Sequence, residues 1–371
     1  MKLLFTPGPL TTSETVKQAM LRDLGSRDDE FIALVRGIRR DLVSLCGPGA
    51  GEYEAIPMQG SGTFAIESAI SSAVPREGSL LVLVNGVYGR RMARIAEVHG
   101  IECRQLVFAE NEPVDPVVVR EELTHDPATH VALVHCETTT GMLNPVAEVG
   151  AAVREAGAAY IVDAMSSFGG IPLEVATAGI DFLISSANKC IEGVPGFGFV
   201  IARRTAVEGC RGQARALSLD LYEQWAGLER DGQFRFTPPT HALLAFRQAL
   251  DELAAEGGVA ARAARYRKNA ETLVAGMREL GFETYLADEH RSAIITTFRY
   301  PNDPSFSFDA LYRQLSSAGF VIYPGKLTAV DCFRIGTIGH IASQEINALL
   351  AAWPGRPQSP SEIPLRTQTG K

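Results

Sequence analysis

AYIVDAMSSFGGIPLEVATAGIDFLISSANKCIEGVPGFGFVIAR, residues 159–203, holds three apolar runs: AYIVDA (159–164), FLISS (182–186) and GFVIAR (198–203). Small, glycine-rich turns separate them. Runs that are apolar throughout, rather than alternating, belong to a sheet covered on both faces, and such sheets are mostly parallel. Towards the N-terminus the same kind of run recurs as YEAIPM (53–58), SLLVLVN (79–85), IECRQLVF (101–108) and HVALVHC (130–136). Helical patterns lie between them. After Gly62, Ile66, Ile70 and Val74 recur every four residues beside Ala69 and Ala73, and Glu67, Ser68, Ser71 and Ser72 are expected to face away. This alternation predicts an α/β fold with a mostly parallel sheet between helices.

Beyond residue 203 the rhythm breaks. Residues 204–240 are polar, with aromatics (Tyr222, Trp225, Phe234, Phe236) and a TPPT turn, and are read as an irregular segment of the kind that carries binding residues or subunit contacts. A helix bearing Leu243, Leu244, Phe246, Leu250 and Leu253 leads to EGG (256–258). From about residue 259 a smaller α+β unit is expected: a helix over 259–280, strands near 282–286 and 292–299, a helix over 308–318, strands near 320–323 and 331–336, and a last helix over 343–352. A chain of 371 residues has room for two domains at roughly 100–200 residues each. We expect a large domain over 1–255, a small C-terminal α+β domain over 256–353, and a flexible, proline-rich tail over 354–371.

Composition narrows the function classes. A net charge of −8 argues against a nucleic-acid partner, which would want a basic face. The six cysteines form no C-x-x-C pair and the seven histidines show no ligand spacing, so neither a disulfide framework nor a metal site is expected. No run approaches the 18 or more apolar residues of a membrane span, and the N-terminal MKLLFTPGP is broken by proline too early for a signal peptide. The cytoplasm is the expected compartment.

Four features carry chemistry. Lys189 is the only charged residue in FLISSANKCI (182–191), directly after a buried strand. Most lysines are solvated, but a desolvated one has a lowered pKa and an available lone pair, which Schiff-base chemistry requires. Asp163 ends the preceding strand. It is either a turn or cap residue, or a carboxylate at the C-terminal edge of a parallel sheet, where ligands bind and where it could keep the ring nitrogen of pyridoxal phosphate protonated. QGSGT (59–63) is a strand-to-helix junction: a capped helix start, or a single-phosphate site made of glycine backbone, helix amides and the Ser61 and Thr63 hydroxyls. It matches neither the dinucleotide fingerprint nor the Walker loop. Arg334, in DCFRIGTIGH (331–340), is flanked by apolar residues. It either forms a structural salt bridge or presents a guanidinium fork to a substrate carboxylate or phosphonate.

With these in view the chain resembles the 2-aminoethylphosphonate–pyruvate transaminases, within the alanine/serine–glyoxylate branch of fold-type-I pyridoxal-phosphate enzymes. The resemblance runs from about residue 3 to 353. Its motifs are LLFTPGPLTTSETVKQAM (3–20), QGSGTFAIE (59–67), VNGVYGRRM (84–92), HCETTTGMLNPVAEVG (135–150), YIVDAMSSFGGIP (160–172), DFLISSANKCIEGVPGFGFVIAR (181–203), LSLDLY (217–222), FTPPTH (236–241), VIYPGK (321–326) and FRIGTIG (333–339). It implies a fold-type-I transferase and a homodimer with shared active sites. Lys189 would hold the cofactor as a Schiff base and Asp163 would pair with its ring nitrogen. Ser61, Gly62 and Thr63 would bind its phosphate, helped by Thr237 from the second subunit. Tyr88 would stack on the ring, Thr139 would lie near the phenolic oxygen, and Arg334 would grip the substrate's anionic group. The TPGP turn would lie close to the substrate entrance. The implied reaction converts 2-aminoethylphosphonate and pyruvate to phosphonoacetaldehyde and L-alanine.

Three rivals remain. An alanine- or serine–glyoxylate aminotransferase would share the fold. A cysteine desulfurase would need a cysteine on a mobile loop, whereas Cys332 lies in an apolar strand on the same face as Arg334. A regulator built on an aminotransferase domain would need a DNA-binding module, and no basic module is expected before residue 3, where only Met1 and Lys2 stand.

Overall fold

The computed structural model describes residues 2–325, 327 and 330–354. The tail, apart from Pro354, and Lys326 of VIYPGK lie outside the described residues. All seven apolar runs become strands of one seven-stranded sheet. Its order is Tyr53–Gly60, Gly196–Arg203, Phe182–Ser186, Ala159–Asp163, His130–Val134, Ser79–Val84, Glu102–Val107. Gly196–Arg203 runs antiparallel to both neighbours, and every other pairing is parallel. His130–Val134 and Phe182–Ser186 are buried at every residue, as continuous apolar runs demand. Among the described residues no helix is long and apolar enough to cross a membrane.

The helix Gly62–Ala73 corrects one expectation. Ser68, Ser71 and Ser72 do not face away but are wholly buried. The Ser68 and Ser72 hydroxyls donate to the Leu219 carbonyl at 2.7 and 3.3 Å, and the Leu221 amide donates to Ser72 Oγ at 3.1 Å. The segment that covers them is the one read as irregular. Besides loops, 204–240 forms two helices, Arg204–Gly209 and Leu221–Arg230, the second capped by the Asp220 side chain. Short hydroxyl side chains satisfied by backbone are tolerated inside, so a polar stripe need not mean solvent.

The helix Thr240–Glu256 stops at Gly257, whose φ of +108° suits glycine, and Gly258–Glu279 starts at once. The C-terminal part holds a three-stranded antiparallel sheet of Ile295–Arg299, Cys332–Gly336 and Tyr323–Pro324. The strand expected near 282–286 does not form, and Thr284 makes only an isolated bridge to Phe298. Phe320–Val321 pairs instead with Leu3–Leu4, and Phe5 packs in the same apolar cluster as Phe298 and Phe333. The chain's first residues thus lie with its last elements. Between this cluster and the core of the large sheet, Leu10, Cys136, Cys190, Tyr266, Ile294 and Ile338 form a third, smaller one.

Candidate active site

Asp163 and Lys189 arrive from neighbouring parallel strands. Asp163 ends Ala159–Asp163, registered between Val134 and Ile184, and Lys189 follows Phe182–Ser186, so both lie beyond the carboxyl edge of the sheet. Asp163 is 2% exposed, and its Oδ1 accepts the Met165 amide at 2.9 Å. That bond is the turn role; no cation pairs with the carboxylate among the described residues. Burial raises this carboxyl to about 6, the Met165 amide pulls it down, Glu137 pushes it further up, and the charges of Lys189 and Arg91 lower it. The adjoining His135 donates its amide to the Asp163 carbonyl at 2.9 Å. Burial holds its imidazole down to about 4, so it is neutral at pH 7.

Lys189 sits under the N-terminal turn. Its Nζ donates to the Pro7 carbonyl at 2.9 Å. At Gly8, φ is +116°, and a Cβ would lie 2.7 Å from Lys189 Cδ and 2.8 Å from Nζ. Only glycine allows that approach. The lysine's loop is wound tightly: the Glu192 amide donates to the Lys189 carbonyl at 2.7 Å and the Gly193 amide to the Ala187 carbonyl at 2.9 Å. Glu192 holds a left-handed φ of 67° and is buried. Its Oε1 accepts from Tyr266 at 2.6 Å and Arg265 at 2.8 Å, and Arg262 stands 3.4 Å away. The sequence carried no signal for this clamp, because its partners lie some seventy residues further along, at |i−j| of 73 and 74.

The QGSGT junction opens the helix Gly62–Ala73. Ser61 occupies the cap position, yet its hydroxyl does not cap the helix. The Phe64 and Ala65 amides donate to the Ser61 carbonyl at 3.0 and 3.4 Å, whereas among the described residues the Gly62 and Thr63 amides, at the very start of the helix, have no backbone acceptor and suit an anion. A Cβ on Gly62 would come within 2.1 Å of Met165 Sδ and 3.2 Å of Ser186 Cβ, so any larger residue there would have to displace the Met165 side chain that follows Asp163. Tyr88 lies in the first turn of Val87–Val98. Its amide donates to Glu137 Oε2 at 3.1 Å, and Thr139 binds Glu137 Oε1 through its amide at 3.1 Å and its hydroxyl at 2.5 Å. Glu137 thus caps the Tyr88 helix and holds Thr139 beside it, which sequence reading missed. Burial raises its carboxyl, and these hydrogen bonds oppose the rise.

Arg334, 1% exposed, donates through Nε to the Pro324 carbonyl at 3.0 Å and through Nη1 to the Thr138 carbonyl at 2.8 Å. No carboxylate forms an ion pair with it among the described residues, which removes the salt-bridge alternative there. Burial lowers its pKa, and Tyr88, Cys332, Glu137 and Tyr323 act in the opposite sense. Cys332, two residues earlier, is buried in the same strand, not on a loop of the kind a desulfurase needs. Thr237 stands apart. It is exposed, and within this chain Gln59 Nε2 donates to its carbonyl at 3.4 Å, with no hydrogen bond to Ser61, Gly62 or Thr63 among those described.

Comparison with known proteins agrees with this geometry. The aminotransferase class-V family profile matches residues 12–327. The chain is 57% identical to the 2-aminoethylphosphonate–pyruvate transaminase of Syntrophobacter fumaroxidans, covering 94% of this chain and 95% of that one. It is 53% identical to the enzyme of the same name from Klebsiella pneumoniae, covering 94% and 96%. Among solved structures, alanine–glyoxylate aminotransferase from Nostoc sp. superposes with a TM-score of 0.87 at 27% identity, over 95% of this chain and 94% of that one. Pyridoxamine–pyruvate aminotransferase from Mesorhizobium loti gives 0.85 at 26% identity, over 94% and 90%.

Proposed function

The chain belongs to the class-V aminotransferases and is an aminotransferase of fold type I, and on that premise we propose that it uses pyridoxal phosphate to move the amino group of 2-aminoethylphosphonate to pyruvate. The products are phosphonoacetaldehyde and L-alanine. The observation that carries the substrate reading is Arg334, a buried guanidinium with no carboxylate paired to it among the described residues. A fork of this kind grips carboxylate and phosphonate alike, one in each half-reaction.

The residues present fit the cofactor. Asp163 is a buried carboxylate with no paired cation among the described residues, and the Ser61 side chain makes no cap hydrogen bond to its own helix. Lys189 would hold the cofactor through Nζ, Asp163 would face its ring nitrogen, and Ser61, Gly62 and Thr63 would hold its phosphate. Tyr88 would lie on its ring and Thr139 near its phenolic oxygen. When bound, the cofactor supplies an electron sink for charge developing at the amine-bearing carbon. Lys189 Nζ would be the base that moves the proton at that carbon. Its contact with the Pro7 carbonyl positions it, and the Gly8 turn covers it.

We further propose a cytoplasmic homodimer in which Thr237 of one chain completes the phosphate site of the other. Phe64 is 50% exposed and Phe236 44%, next to the phosphate loop and to Thr237 respectively, and both are large apolar groups that an interface would cover. A fully active monomer in sedimentation at assay concentration overturns the shared site. The division into units over 1–255 and 256–353 is likewise our proposal, supported by the glycine break at Gly257.

The substrate reading is tested by alanine formation from pyruvate with a panel of amine donors. We expect 2-aminoethylphosphonate to lead by orders of magnitude over ethylamine, and over alanine or serine assayed with glyoxylate. Faster turnover of serine or alanine with glyoxylate overturns it in favour of the glyoxylate branch.

A further inference from the structure

VNGVYGRRM places two arginines side by side, and the structure treats them differently. Arg90 reaches Glu110 at 3.6 Å in a surface pair. Arg91, one turn after Tyr88 on the same helix, has no carboxylate partner among the described residues. It lies over the Tyr88 ring, with Cζ 4.8 Å from the centroid, and its Nη1 donates to Thr63 Oγ1 at 3.4 Å. It is half-buried. One guanidinium therefore touches both the ring-stacking tyrosine and the last residue of the phosphate loop.

The charge balance of the site makes this position consequential. The loop QGSGT has no cation of its own, and the two acids nearest to the site, Asp163 and Glu137, are both buried. A phosphate dianion set beside them on hydroxyls and amides alone would face uncompensated repulsion. Lys189 is committed to the cofactor's aldehyde, and Arg334 is turned to the Thr138 and Pro324 carbonyls. Among the described residues, Arg91 is the cation hydrogen-bonded to the loop.

We infer that Arg91 is a cofactor-binding residue, the counter-charge for the phosphate held at Ser61–Thr63. This rests on the pyridoxal-phosphate reading above. A weak hydrogen bond to Thr63 in the free chain is the contact that an arriving phosphate would share, and the cation–π contact holds the guanidinium in place until then.

The test compares two ligands that differ only in the phosphate. Purified enzyme is stripped of cofactor and titrated with pyridoxal phosphate and, separately, with pyridoxal, following binding by absorbance and by ultrafiltration. We expect Arg91→Gln to bind pyridoxal phosphate about 10- to 100-fold more weakly than wild type, the usual size of one charge-assisted contact. Its affinity for pyridoxal should stay within about twofold. Arg91→Lys, which keeps the charge and serves if the glutamine variant folds poorly, should recover part of the loss. Unchanged pyridoxal phosphate binding in both variants overturns the assignment. So do equal losses for the two ligands, which would mean that Arg91 acts by propping Tyr88. Wild type that binds neither ligand overturns the cofactor reading itself, and the Arg91 assignment with it.

Discussion

Arg262 and Arg334 are the largest fully buried side chains among the described residues, and their surroundings are opposite in kind. Arg262 is matched: its Nε meets Glu256 at 2.5 Å, its Nη1 meets the Cys190 carbonyl at 2.7 Å, and Glu192 stands 3.4 Å off. Beside it Arg265 bonds the same two acids, and the Gly339 and Ile341 carbonyls, at 2.7–2.9 Å. Among the described residues Arg334 has only backbone carbonyls. A buried charge is costly unless paired, so a matched one belongs to the scaffold, and an unmatched one persists where a ligand supplies the counter-charge. Asp163 resembles Arg334, a buried charge with no oppositely charged partner among the described residues. The clamp around Glu192 ties the Lys189 loop to the helix Gly258–Glu279 and to the strand end beyond Arg334. The scaffold charges thus set the spacing of the site charges.

The contrast breaks first, and most visibly, at Arg262. Arg262→Met strands buried acid and should lower unfolding free energy by about 3 kcal/mol or more, read as a urea midpoint. The same substitution at Arg334 strands no carboxylate and should cost less than that. Equal losses would erase the distinction between the two sites.

Next comes the pH dependence of Asp163. Its carboxyl is raised from 3.8 to about 6, so the folded chain holds the proton more tightly than the unfolded one. The stabilisation is therefore full below pH 3.8 and is lost as pH rises through about 6, amounting to about 3 kcal/mol in the cofactor-free protein. Asp163→Asn should flatten that slope in denaturation curves between pH 4 and 7. An unchanged slope assigns it to another group.

Arg334→Lys should act on catalysis. Replacing a planar fork by a point donor should cost roughly 1.5–3 kcal/mol, or one to two decades of kcat/KM, with both 2-aminoethylphosphonate and pyruvate. Ethylamine, which has no acid for the fork, should barely notice. Equal loss for ethylamine would return Arg334 to the scaffold.

The smallest effect should come from Glu192→Gln. It keeps an acceptor for Tyr266 but removes the charge between Arg262 and Arg265, which still share Glu256. We expect about 1 kcal/mol of stability and a modest rise in KM, with kcat kept within a few-fold. A collapse of kcat would show that the clamp acts directly on Lys189.

Much of the fold could be read in one dimension because its signals are local. A strand buried on both faces must be apolar at successive residues, so all seven sheet strands stood out as runs. Asp163 and Lys189 were legible for the same reason, each lying at the end of such a run. The serine face of Gly62–Ala73 was misread because its cover, the 204–240 segment, has no apolar periodicity to announce it. The expected strand near 282–286 failed as a strand because it meets its neighbour only at isolated positions around Thr284. Glu137 passed unnoticed inside ETTTG, where nothing marks a carboxylate as a helix cap for a segment fifty residues earlier.

By itself the sequence determined the sheet and the class of chemistry and marked Asp163 and Lys189 as the candidate pair, since strand burial, a strand-end acid and an isolated lysine are properties of short segments. Tertiary structure alone decided which charges are matched and what lies on Lys189. The Pro7 carbonyl and Lys189 Nζ are 182 residues apart, Arg334 and the Thr138 carbonyl 196. Whether a buried charge has a partner depends on which side chains the folded backbone brings within about 4 Å, and residues so far apart along the chain leave no local pattern from which that distance can be read.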